Sequence, residues 1–198
     1  MTAVQTGIIL LAAGDSSRLG SPKQMLLYQG QTLLQKSIGA ALAAKAEQVL
    51  VVLGATGSEI AVPPASNQLQ YILNPGWQEG MASSIRCGLE ALCNQWPQLE
   101  NVLVMACDQP FVSTEVLDKL VTLQGQTGSL VVSSRYRDTA GIPAIFNKAL
   151  FPQLLQLKGD TGARKIIAGQ QERISFVDFP LGHIDIDTRE DYLGLQKH

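Results

Sequence analysis

Short, continuous apolar runs alternating with longer stretches of helical period constrain this chain more than any other feature. The runs fall at 7–13, 48–53, 69–73, 101–107, 129–134, 142–146 and 173–177. They are solid in Val, Ile and Leu, as strands covered on both faces are. Between them, Gln31–Ala46 sets Leu33, Leu34, Ile38, Ala41 and Leu42 on one helical face. Ser83 or Ser84 can cap a second helix carrying Ile85, Leu89 and Leu92. Ser113 or Thr114 can start a third, carrying Val116, Leu117, Leu120, Val121 and Leu123. The expectation is an α/β fold in three layers: a mostly parallel sheet with helices on both faces. A chain of 198 residues fits a single domain, 1–198. The Gly/Ser/Thr-rich stretch 124–129 reads as a loop dividing 1–123 from 124–198.

Charge and cysteine usage narrow the partners. A net charge of −2 lacks the basic excess of a nucleic-acid binder, yet leaves room for a small anion in a locally positive pocket. Cys87, Cys93 and Cys107 are odd in number and lack CxxC spacing. Buried thiols in a reducing compartment are therefore expected, in place of a disulfide framework or a zinc site. No basic leader precedes the first apolar run, and that run is too short to cross a bilayer. The reading is a cytoplasmic protein without a membrane partner.

The first run breaks at Ala12-Ala13-Gly14, and Arg18 and Lys23 follow. Small residues let the backbone approach a ligand, the turn's N–H groups can face an anion, and the two cations can close over its charge. The spacing is neither the Walker pattern nor GxGxxG. A plain strand-to-helix turn with two solvated bases is the competing reading. In open parallel sheets ligands gather outside the carboxyl ends of the strands. Gly14, Asn74-Pro75-Gly76 and Asp108 all fall at such ends. Asp108, leaving its strand just before Pro110, suits Mg²⁺, which takes one or two carboxylates with phosphate oxygens and water. It could equally cap the next turn.

Ile184-Asp185-Ile186-Asp187 alternates, so both acids share a face, and either can complete the metal site. Thr188 with Asp191 reads as a helix start close to a capping box. Gly159, Asp160, Gly162 and Arg164 open another helix. They form an anion site or, equally, a glycine C-cap followed by an N-cap. Neither His183 nor His198 belongs to a triad, and Ser83 and Ser84 lack a nucleophile-elbow context.

LLAAGDSSRLGSPKQ resembles the nucleotide-binding signature of the nucleotidyltransferase superfamily with a Rossmann-like fold. NPGWQEGMASSIRCGL, MACDQP, GDTGAR and DIDTRED resemble its molybdenum cofactor cytidylyltransferase branch, and the matches run from residue 8 to about 192. The resemblance implies transfer of CMP from CTP to the terminal phosphate of a molybdopterin-type acceptor, with Mg²⁺ and pyrophosphate release. It implies backbone contacts to nucleotide from Leu11, Ala12, Ala13 and Gly14, triphosphate binding by Arg18 and Lys23, and a base and ribose wall from Asn74 through Gly80 and Ser83 to Ser84. Asp108, with Asp187 or Asp185, would hold the metal. Pro143, Gly159, Asp160, Gly162 and Arg164 would face the acceptor. Residues 1–123 would form the nucleotide half and 124–198 the acceptor half, with a molybdenum hydroxylase or its maturation chaperone as recipient. Ala13 and the DQP form of the acidic motif separate this branch from the guanylyl one. Arg189 departs from it, standing where the family usually has proline. The rivals are a same-fold enzyme using GTP or another phosphorylated acceptor, and a carrier that binds the cofactor without turnover.

Overall fold

The computed structural model describes residues 5–14, 19–54, 60–170 and 173–197. Its strands are β1 (Thr6–Ala12), β2 (Leu27–Tyr28), β3 (Gln31–Thr32), β4 (Gln48–Leu53), β5 (Leu69–Leu73), β6 (Asn101–Ala106), β7 (Val131–Tyr136), β8 (Thr139–Asn147) and β9 (Ile174–Asp178). The α-helices are α1 (Leu33–Leu42), α2 (Met81–Gln95), α3 (Thr114–Thr127), α4 (Phe151–Leu154), α5 (Arg164–Ala168) and α6 (Arg189–Leu195). A seven-stranded sheet in the order β5-β4-β1-β6-β8-β7-β9 forms the middle layer, and β2 and β3 make a separate hairpin. Within the large sheet, β8 alone runs against its neighbours, pairing antiparallel with both β6 and β7. The expected α/β architecture is the observed one.

Side-chain alternation along β1 builds the layers. Ile8, Leu10 and Ala12 join one core with Leu34 and Ile38 of α1 and Leu117 and Leu120 of α3. Ile9, Leu11 and Ala13 join the other with Ile85, Leu89 and Leu92 of α2 and Leu154, Ile166 and Ile167 of α4 and α5. A strand apolar at every position buries both faces, and burying one Leu or Ile side chain stabilises by about 1.5–3 kcal/mol.

Several boundaries differ from the sequence reading. The helix expected over 31–46 is shorter because residues 27–32 form the β2–β3 hairpin, whose turn carries positive φ at Gln29 and Gly30. Thr32 then caps α1 in a capping box with Gln35. Helix α2 starts at Met81 with Gly80 as its N-cap, not at Ser83 or Ser84. The stretch 124–129 is mostly helix: α3 continues to Thr127 and stops at left-handed Gly128, so the division at 123/124 falls inside α3. Strands β7 and β8 extend to Tyr136 and back to Thr139, past the expected ends at 134 and 142. Two buried serines within β7 stay in the sheet because their hydroxyls are satisfied. Ser133 Oγ donates to the Gly141 carbonyl (2.8 Å) and Ser134 Oγ to that of Pro143 (2.7 Å). Neither the glycine C-cap nor the side-chain N-cap expected at 159–161 forms: α4 ends at Leu154 with Leu155 as its C-cap, and Ala163 precedes α5 without a side-chain cap.

Candidate active site

Strands β1 and β6 are neighbours in register, Leu11 opposite Ala106, so the turns leaving them emerge side by side. One turn carries Ala13-Gly14 and the other Cys107-Asp108. Pro22 holds extended backbone ahead of a 3-10 turn over Lys23–Met25, which aims Lys23 into the gap. The Lys23 stem lies flat on Gly14, where a Cβ would stand 3.1 Å from Cε. Its ammonium, in a residue only 8% exposed, donates to Asp108 Oδ2 (2.6 Å) and Asp187 Oδ1 (2.9 Å). Two carboxylates that lie 85 and 164 positions from Lys23 in sequence thus share its one ammonium nitrogen.

Asp187 arrives there because the chain is pinned on both sides of it. The Ile186 N–H bonds the Asp108 carbonyl (3.0 Å), and the Ile186 side chain is fully buried beside Tyr28, Leu33 and Leu195. On the other side the Thr188–Asp191 capping box opens α6, and Asp191 Oδ2 also accepts from the Asp187 N–H. Arg189 takes the first helical position, where proline is favoured because no N–H partner is needed; arginine fills it with the box intact.

The electrostatics follow from this crowding. Burial alone would lower the Lys23 pKa, but the Asp108 carboxylate, and then Asp187, outweigh it and hold the ammonium above the usual lysine value. Asp185 keeps surface open to solvent. Even so, the protein around it strips part of its hydration, and Asp108 and Asp187 add negative charge. Together they push its carboxyl up to about 6, against the pull of Lys23 and Arg164. Cys107, buried next to Asp108, is pushed up to about 12, chiefly by burial.

Beside these groups opens a cavity of about 440 Å³, within the roughly 300–1,000 Å³ of ligand pockets. Leu11, Ala13, Gly14, Lys23 and Asp108 line one part of it, and Trp77, Gly80, Met81, Ser84 and Asp160 another. Of the residues singled out in the sequence, Asn74 and Ser83 do not line it. Both are buried and bonded to each other, Asn74 Nδ2 donating to Ser83 Oγ (2.8 Å) and Ser84 Oγ (3.1 Å). Ala12 turns to the opposite face of the sheet. Gly159 and Gly162 pack on the start of α2, the first through its carbonyl to the Ala82 N–H (3.1 Å), the second against the Met81 sulfur. Pro143 is buried in β8 and Arg164 is exposed at the start of α5; neither lines the cavity. Arg18 lies outside the described residues.

Two glutamines escaped the sequence reading. Gln24 is buried and donates to the carbonyls of Ala12 (2.7 Å) and Gly14 (3.3 Å), fixing the turn from behind. Gln109, also buried, donates to the carbonyls of Gly182 (2.9 Å) and Ile142 (3.2 Å), tying the end of β6 to the segment that leads to Asp187. Their sole signal was adjacency to Lys23 and Asp108, which does not separate a brace from a solvated amide.

The two carboxylates offer hard oxygen donors already gathered about a cationic position, which fits a divalent ion of the Mg²⁺ or Mn²⁺ type. Among the described residues no group of three or more His, Cys, Asp or Glu forms a metal cage. Such a pair matches an ion that draws its remaining ligands from phosphate and water. No helix among the described residues is long and apolar enough to cross a membrane.

A family model described as the MobA-like NTP transferase domain matches residues 8–174. The chain belongs to this family. Curated relatives cover most of this NTP transferase at modest identity. Purine catabolism protein PucB of Bacillus subtilis (strain 168) is 29% identical over 194 residues, 93% of this chain and 92% of its own. Molybdenum cofactor cytidylyltransferase of Escherichia coli (strain K12) is 26% identical over 187 residues, with the same two coverages. Nicotine blue oxidoreductase of Paenarthrobacter nicotinovorans is 28% identical over 177 residues, 86% of this chain and 85% of its own. Among solved structures, Rv0371c of Mycobacterium tuberculosis H37Rv superposes with a TM-score of 0.83 at 28% identity, covering 98% of this chain and 99% of that one. A manganese complex of the same protein superposes at 0.79, with 26% identity and 98% of both chains covered.

Proposed function

We propose that this nucleotidyltransferase moves CMP from CTP to the terminal phosphate of a molybdopterin-type acceptor and releases pyrophosphate. The observation that carries the reading is Lys23 held between Asp108 and Asp187 beside the Ala13-Gly14 turn, with Lys23 and Asp108 on the wall of a cavity of ligand-pocket size and Asp187 behind them. Choice of CTP and of this acceptor is supported by the motifs shared with the molybdenum cofactor cytidylyltransferase branch and by the Escherichia coli relative bearing that name.

The acceptor supplies its own nucleophile. A phosphate monoester has a second pKa near 6, so it is mostly dianionic at neutral pH and needs no protein base. The obstacle is repulsion between polyanions, roughly 4 kcal/mol per pair of unit charges at 4 Å and an effective dielectric of 20. Lys23, held in position by Gly14, meets the triphosphate charge, and Arg18 is proposed to join it. The Ala13-Gly14 backbone lets the phosphates approach closely, and the rest is alignment for in-line attack at the α-phosphorus. Asp108 and Asp187 would hold Mg²⁺, with Asp185 close by. When bound, the ion supplies charge neutralisation at the α-phosphate and the departing pyrophosphate.

The test is pyrophosphate release with CTP, GTP, UTP or ATP, each with and without purified molybdopterin-type cofactor. Release with CTP and cofactor together is the expected result. Turnover with GTP, or with CTP and a different phosphorylated acceptor, would transfer the reading to the corresponding rival. Tight CTP binding without any release would make the protein a carrier. Asp108→Asn should cut turnover at least a hundredfold, in line with the loss of one such electrostatic contact, and should weaken Mn²⁺ binding followed by electron paramagnetic resonance.

A further inference from the structure

The segment between α4 and α5 is clasped onto the start of α2. Arg86 of α2 meets Glu79 through both guanidinium nitrogens (3.0 and 2.6 Å) and also donates to the Leu157 carbonyl. Glu79 Oε1 accepts from the Gly159 N–H (3.5 Å), and the Gly159 carbonyl accepts from the Ala82 N–H. These contacts seat the Asp160 carboxylate on the Cα of Gly80 so closely that any Cβ there would overlap it. Gly80 has φ +107, which glycine alone adopts without strain. Asp160 is exposed on the cavity wall, and its carboxylate makes no hydrogen bond or ion pair with another described residue.

A carboxylate without a protein partner is out of place in a cavity built for a polyanion. Set against a phosphate it would repel it, so the phosphates belong with Lys23 and Gly14, away from Asp160. Beside Asp160 the wall is Trp77, Gln78, Met81 and Ser84, a mainly apolar surface with one amide and one hydroxyl. That surroundings suit a flat group bearing N–H or O–H donors. Resting on the nucleotidyltransferase reading of the cavity, we infer that Asp160 is a specificity-determining residue that accepts a hydrogen bond from the nucleoside part of the triphosphate. Two donors qualify: the exocyclic amine of the base and a ribose hydroxyl. The second half of the chain thereby reads the nucleotide held by the first. This differs from the acceptor contact that the family resemblance implied for Asp160.

The test measures CTP, UTP and 2′-deoxy-CTP binding to the full chain and to Asp160→Ala and Asp160→Asn, with the steady-state constants for nucleotide and acceptor. CTP should bind Asp160→Ala ten- to hundredfold more weakly, the range of a hydrogen bond to a charged group. The preference for CTP over UTP should vanish in that variant if the amine is the donor, and over 2′-deoxy-CTP if a hydroxyl is. Asp160→Asn keeps size and an acceptor oxygen, so it should fall between the two. Unchanged CTP affinity, survival of both preferences, or a change confined to the acceptor KM would overturn the assignment. Wild-type protein that binds no nucleoside triphosphate would instead bring down the proposed function itself.

Discussion

Lys23 shows how much of the site is carried by one side chain whose role has two parts. In the proposed reaction it meets the phosphates, and in the fold it neutralises two carboxylates that would otherwise repel each other. Replacing it with Met should reduce turnover about a hundredfold. It should also lower folding stability by about 2 kcal/mol, less than for a fully buried pair because Asp187 is open to water. The pH dependence has a definite sign. The folded pKa of Lys23 lies above its ordinary 10.5, so the folded state holds the proton more tightly. The stabilisation is then complete below pH 10.5 and fades as the pH climbs past it. Urea midpoints of the wild type and Lys23→Met should differ by a constant amount through the neutral range and converge only in strong alkali. Asp108 was readable from sequence because it stands at the end of an unmistakable apolar run, and Lys23 because it follows the small-residue turn that breaks another. Gln24 and Gln109 were not, since a polar residue becomes a brace only when the fold offers it carbonyls to hold.

At the level of elements, helix signals were the most legible and strand direction the least. Thr188-x-x-Asp191 gave away the start of α6, and Ser113 that of α3. The reversal of β8 left no trace, because an apolar run reads the same in either direction, and the two residues joining it to β7, Arg137-Asp138, lack the glycine that usually marks a tight hairpin. Start positions erred where a glycine capped a helix: Gly80 opens α2 with no side chain to announce it, while Ser83 and Ser84 looked like caps and are internal donors and acceptors instead. The caps that do exist are testable. Thr188→Ala removes one side of the box and should cost about 1 kcal/mol in denaturant unfolding. Because the box also steadies Asp187, the same variant should weaken Mn²⁺ binding, a loss that a cap remote from the site, such as Ser113→Ala, should not reproduce.

Taken whole, the molecule is one sheet with a core on each side, and the thiols report on it independently of any ligand. Cys107 is buried within the core shared by α1 and α3, its thiol pushed up to about 12, whereas Cys87 and Cys93 are half-buried. Native protein at neutral pH should therefore show two slowly reacting thiols, and the third should react only at the rate of global unfolding. Equal reactivity of all three would mean that the strand ends carrying Asp108 open far more readily than their packing implies. The reversed strand has a consequence of another kind. β8 sits between β6 and β7, yet it is made after both. A nascent chain grown only as far as α3 carries a bare hydrogen-bonding edge along Val102, Leu103 and Val104, which its own later residues must reach before a neighbouring polypeptide does.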